Sequence, residues 1–208
     1  MTSRQEHWDA VYSSSDDAAL TWFEDRPDLS LQVIRQIGLP DRARAELRAV
    51  DVGGGTSRLV DALLDDGLRD LTVLDLSAEA LQVSQDRLGA RASLVQWITG
   101  DVTEWRPETR FDLWHDRALF HFLTDPETRA AYIRTMTLAL CHGGMAVIGT
   151  FASDGPQRCS NLPVMRYSAE ELAQEIGEGF EPLVSLEHIH ETPIGQRQPF
   201  VYLGFRRR

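Results

Sequence analysis

A chain of 208 residues, 42% of them apolar, is long enough to bury roughly 70% of its unfolded surface within one domain. Its 21 basic and 32 acidic residues leave a net charge of −11, which repels polyanions and sets nucleic acid aside as a partner. Two cysteines, Cys141 and Cys159, make no disulfide framework and have no metal-type spacing, and there is neither a charged-then-apolar leader nor a run of about 18 apolar residues, so the expectation is a cytoplasmic protein with no metal and no membrane partner.

The first 46 residues do not follow the alternation of strands and helices that comes later. Trp8, Tyr12, Trp22 and Phe23 are aromatic islands in a polar, acidic setting, interrupted by Ser13-Ser14-Ser15-Asp16-Asp17, and residues 1–46 read as an N-terminal lid or helical segment outside the core alternation. From Leu47 to Val52 the chain is short, apolar and β-branched, while Leu59, Val60, Leu63 and Leu64 recur at helical spacing. Gly53, Gly54 and Gly55 therefore sit on a strand-to-helix turn, where a missing Cβ and access to positive φ let a ligand lie against the main chain. The dinucleotide fingerprint would have a third glycine where Arg58 stands, which argues against a bound pyrophosphate.

A second buried-type strand, Leu71 to Leu76, ends in Asp75, whose carboxylate can accept hydrogen bonds from both hydroxyls of a ribose. Ser77 begins a helix carrying Leu81, Val83 and Leu88. Leu94 to Ile98 is a third strand, followed by Gly100-Asp101-Val102, where an aspartate can accept from an adenine amino group and the next N–H can donate to the ring. The fourth strand, Phe111 to Asp116, carries polar residues at its carboxyl end. Asp125-Pro126-Glu127 caps a helix from Ala130 to Leu140 that Gly143-Gly144 terminates, and Met145 to Phe151 is the fifth strand. After an insert from Ala152 to Arg166, the capping box at Ser168 and Glu171 opens a helix through Ile176. Two β-rich runs, Pro182 to His190 and Phe200 to Phe205, close the chain around a hairpin connection at Gly195 to Gln198. The fold class is thus α/β, a doubly wound Rossmann-like sheet in a single domain over residues 1–208, with a cofactor-binding core at 47–151 and a substrate-side insert and hairpin at 152–208.

With these motifs in order, the chain resembles the class I S-adenosylmethionine-dependent methyltransferases, in the methyltransferase-like group. The matching residues are Asp51-Val52-Gly53-Gly54-Gly55-Thr56, Leu74-Asp75-Leu76-Ser77, Gly100-Asp101-Val102, Phe111-Asp112-Leu113 and Gly143-Gly144 before Met145. The resemblance implies a seven-stranded sheet, mostly parallel with an antiparallel C-terminal strand. It also implies S-adenosylmethionine as cofactor and S-adenosylhomocysteine as product. The cofactor would lie on Trp22, Asp51, Gly53, Gly54, Gly55, Ser57, Asp75, Leu76, Asp101, Val102 and His115. From the fourth strand, His115, Asp116 and Arg117 would reach the transferring methyl, with His121 as a further catalytic candidate; each has a rival reading as a salt-bridged cap or a helix residue bridging core and surface.

The acceptor would be a small molecule or, as the alternative, a protein lysine. Gly55 to Leu59 with Leu64-Asp65-Asp66-Gly67 is similar to the lysine methyltransferases of elongation factors. No segment typical of base methylation follows the fourth strand. A nicotinamide-dependent oxidoreductase is disfavoured by Arg58 and by the lack of a Tyr-x-x-x-Lys pair, and a catalytically silent cofactor-binding partner by the intact loop. His188 and His190 share one face of a strand without an evident third ligand. A monomer or a homodimer is equally compatible with the sequence.

Overall fold

The computed structural model describes residues 4–14 and 16–208; Ser15, in the polar break within the expected lid, lies outside them. After helix α1 (Arg4–Ser14) and helix α2 (Asp28–Ile37), strands and helices alternate: β1 (Arg48–Val52), α3 (Leu59–Asp65), β2 (Asp70–Asp75), α4 (Ala78–Leu88), β3 (Val95–Thr99), β4 (Phe111–Arg117), α5 (Pro126–Ala139) and β5 (Leu140–Phe151). A two-stranded hairpin, β6 (Arg158–Cys159) and β7 (Leu162–Pro163), precedes α6 (Ala169–Ile176), β8 (Phe180–Glu191) and β9 (Arg197–Arg207). The seven-stranded sheet runs β3-β2-β1-β4-β5-β9-β8, with β9 antiparallel to both of its neighbours and the other pairings parallel.

The sheet has a core on each face because successive strand residues point to opposite sides. On one face Leu71, Val73, Leu113 and Val147 meet Val33 and Ile37 of α2, Leu63 of α3 and Leu81 of α4. On the other, Val50, Trp114 and Ile148 meet Tyr132 and Met136 of α5 and Leu172 of α6. Asp125 and Ser168 cap α5 and α6 with their side chains, the second in a full capping box. Among the described residues no helix is long and apolar enough to cross a membrane, and no group of three or more His, Cys, Asp or Glu is placed to hold a metal ion.

Three local expectations are corrected. Residues 28–37 are not part of a cover but a packed helix, with Val33 fully buried. Gly204 of β9 makes that possible: a Cβ there would overlap Ile37 Cγ2 and come within 3.2 Å of Val33 Cγ1. Second, α5 stops at Ala139 and the strand starts at once; Gly143, at φ +74°, lies where the register of β5 against β4 shifts between Phe111 and Leu113, so the glycine pair accommodates an irregular strand rather than ending a helix. Third, β4 continues through Arg117, so His115, Asp116 and Arg117 are consecutive strand residues whose side chains alternate between faces.

Candidate active site

The carboxyl ends of β1, β2 and β4 open into two adjoining clefts of about 870 and 490 Å³ that share Tyr12, Trp22, Gly53 and Arg117. This is where a doubly wound sheet holds ligands. The larger cleft takes Asp75 and Leu76 from the end of β2, and Asp101 and Val102 from the turn after β3. The smaller takes Asp51, Gly53, Gly54 and Ser57 from the first loop, together with His115.

The first loop has the backbone that its glycines permit. Gly53 and Gly55 lie at φ +63° and +46°, in the left-handed region that a branched side chain avoids. A Cβ on Gly53 would stand 2.6 Å from Leu119 Cδ1, and one on Gly55 2.5 Å from the Tyr12 hydroxyl. Asp75 accepts a hydrogen bond from Ser77 N at 2.8 Å. Burial pushes its carboxyl up to about 6, against the hydrogen bonds from the Ser77 and Gly55 amides that favour the ion. Asp101 spends one oxygen on Thr103, accepting from its amide at 2.8 Å and its hydroxyl at 2.7 Å.

The four residues expected near the transferring methyl have separate surroundings. His115 bridges Asp51 Oδ1, 2.7 Å from Nδ1, and Ser30 Oγ of α2, 2.8 Å from Nε2. Asp116 projects to the opposite face, fully buried, and accepts from the amides of Leu119 and Phe120 and from the Tyr132 hydroxyl at 2.6 Å. Burial pushes its carboxyl up to about 6. Arg117 lies between the two clefts, donates to the Tyr202 hydroxyl and the Trp22 carbonyl, each at 2.9 Å, and has Glu24 Oε1 3.1 Å from Nη2. His121 is sealed inside with its Nδ1 accepting from Phe151 N at 3.3 Å, and burial beside the Arg117 charge lowers its pKa to about 3. His190, which shares a strand face with His188, binds the Thr21 carbonyl at 2.9 Å and so ties β8 to the amino-terminal segment.

Several lining residues carry no motif. Trp8 and Tyr12 of α1 pack on Trp22, and Trp8 also packs on Phe122. Cys159 and Leu162 reach the larger cleft from the β6–β7 hairpin, whose Ser160 and Asn161 both have positive φ; a two-residue turn of that kind is the one signal in the insert that sequence reading had available. Arg58 lines the smaller cleft with its guanidinium 5.3 Å above the Phe23 ring, and its Nε is buried without a partner.

These features test whether a cofactor fits. Asp51 Oδ2 is buried without a hydrogen-bond partner and lines the smaller cleft, as a group awaiting a donor would be. Two carboxylates and a glycine cradle lie along the adjoining walls, and the residues suit a cationic nucleoside. Residues 49–144 match the methyltransferase domain family, and the fold is that of the class I S-adenosylmethionine-dependent methyltransferases.

Solved structures share the whole fold. One, from a study of the conversion of a disulfide bond into a thioacetal group during echinomycin biosynthesis, is 22% identical with a TM-score of 0.78, over 99% of this chain and 92% of its own. The N-methyltransferase NodS from Bradyrhizobium japonicum WM9, in complex with S-adenosylhomocysteine, is 19% identical with a TM-score of 0.74, over 99% of both chains. The 1,6-didemethyltoxoflavin-N1-methyltransferase of Burkholderia thailandensis is 21% identical with a TM-score of 0.66, over 100% of this chain and 91% of its own. A search of curated proteins finds no match.

Proposed function

We propose that this methyltransferase acts on a small-molecule nucleophile held under α1, with the cofactor spanning both clefts. In this reading Asp75 binds the ribose hydroxyls, Asp101 and Val102 the adenine, and the Gly53–Gly55 turn with Asp51 the methionine end, where Arg58 faces the carboxylate. The bound cofactor supplies a methyl group already activated on a sulfonium. The protein's share is orientation and exclusion of water. His115 acts by fixing Asp51, and Arg117 by fixing Trp22, so both are positioning residues; Asp116 and His121 support the turn after β4.

The observation that carries the small-molecule reading is that two elements outside the sheet line the larger cleft. Trp8 and Tyr12 line it from α1, and Cys159 and Leu162 from the β6–β7 hairpin. The B. thailandensis structure, named for an N1-methyltransferase of didemethyltoxoflavin and holding that compound with S-adenosylhomocysteine, gives further support. Labelled S-adenosylmethionine incubated with small amines, thiols, alcohols and carboxylic acids, and in parallel with a lysine peptide array, tests it. Label on small acceptors alone is expected; label on the peptides alone would shift the assignment to protein lysine.

A further inference from the structure

The larger cleft is short of a proton acceptor. His115 has both ring nitrogens engaged, on Asp51 and Ser30, Asp116 has its carboxylate on Leu119, Phe120 and Tyr132, and His121 is sealed behind Phe122 and Phe151. Among the described residues, the titratable groups lining the cleft are Arg4, Tyr12, Asp75, Asp101, Arg117 and Cys159. The two guanidiniums cannot accept a proton. Burial pushes the Cys159 thiol up to about 11 and the Tyr12 phenol well above its ordinary value, so both stay protonated. Asp75 and Asp101 each have an oxygen on a neighbouring amide and, in the reading above, are taken up by the adenosine.

What the acceptor end offers instead is aromatic. Trp8 lies with its ring centroid 5.9 Å from Trp22, 6.2 Å from Tyr12 and 5.1 Å from Phe122, and all four line the cleft. Ring faces favour a cation. An anionic acceptor would be desolvated beside Asp75 and Asp101, with Arg4 exposed at the rim and Arg117 held by Tyr202, Trp22 and Glu24. A hydroxyl would need its proton removed as it attacks.

We infer that the acceptor atom is a neutral nitrogen, taken up as the free base and methylated without a protein base, the charge it acquires being received by the aromatic wall of Trp8, Tyr12, Trp22 and Phe122. The inference rests on the methyl-transfer reading above. The nitrogen lone pair forms the N–C bond, the C–S bond breaks with its pair returning to sulfur, and the positive charge passes from sulfur to nitrogen. A primary or secondary amine then gives up one of its own N–H protons to solvent after release.

The test begins with calorimetry of S-adenosylhomocysteine, since both readings fall if it does not bind. To the protein alone and to its S-adenosylhomocysteine complex, choline and its neutral isostere 3,3-dimethylbutan-1-ol are then titrated. The cation is expected to bind about tenfold more tightly, with the preference lost in Trp8→Leu and, independently, in Phe122→Leu, each checked for folding by circular dichroism. Equal binding of the two probes to the parent overturns the aromatic assignment. With labelled donor, an aromatic amine should give a kcat/KM independent of pH between about 7 and 9, where its nitrogen is unprotonated. Comparable methylation of the matching alcohol, or a pH inflection that disappears in His115→Gln, overturns the base-free step.

Discussion

Asp75 and Asp116 are both buried carboxylates pushed up to about 6, and this shift acts in opposite senses on stability and on cofactor binding. Since burial holds each pKa above its unfolded value, each contributes stability that is full below the unfolded pKa near 3.8 and lost as pH rises through about 6. Cofactor binding should run the other way, because in the proposed reading the ribose hydroxyls donate to the Asp75 carboxylate. Affinity for S-adenosylhomocysteine, measured by calorimetry, should weaken as pH falls below about 6, and Asp75→Ala should cost roughly 1–3 kcal/mol at neutral pH. Asp116→Ala strands the amides of Leu119 and Phe120 and the Tyr132 hydroxyl; urea unfolding should show a loss of about 3 kcal/mol. A variant as stable as the parent but inactive would instead give Asp116 a direct part in the reaction.

Helices α1 and α2 both come from the stretch that the sequence marks as non-core, and the structure treats them differently. Helix α2 is packed on β9 and β5 at a distance that only Gly204 permits. Gly204→Ala should destabilise by about 1–3 kcal/mol through overpacking against Ile37, readable as a lowered urea midpoint with an unchanged m-value. Helix α1 has no residue that is buried as a whole, although the Tyr12 phenol points inward. It is held over the site by the Ser77 hydroxyl donating to Asp9 at 2.7 Å, by Tyr12 over Gly55 and by the contacts of Trp8. An element with so few anchors opens more easily than the sheet. Deleting residues 1–14 should leave the sheet folded while lowering methyl transfer far more than the melting temperature. Ser30 must be retained, because its hydroxyl holds His115. Hydrogen exchange over residues 4–14 should slow on cofactor addition; protection already complete without ligand would make α1 a fixed wall.

At the scale of the molecule, a net charge of −11 surrounds a cleft whose own carboxylates suit a cationic ligand. A fluorescent oligonucleotide should show no saturable binding at about 0.1 M salt; retention there would reopen nucleic acid as a substrate. The order of elements from β1 to β5, the Gly53–Gly55 turn, the ends at Asp75 and Asp101 and the hairpin of β8 with β9 were all legible in the sequence. Each is encoded within a few neighbouring residues, by alternation, helical spacing, capping or a positive-φ turn. Other features had no such local signal. That His115 and Asp116 part to opposite faces depends on where β4 ends. That α2 joins the core depends on a glycine about 170 positions away. That Cys159 and Leu162 line the larger cleft depends on how the insert folds back over the sheet. Periodicity along the chain records which way a side chain points within its element; which groups then meet is settled by long-range packing, and only the tertiary structure decided it.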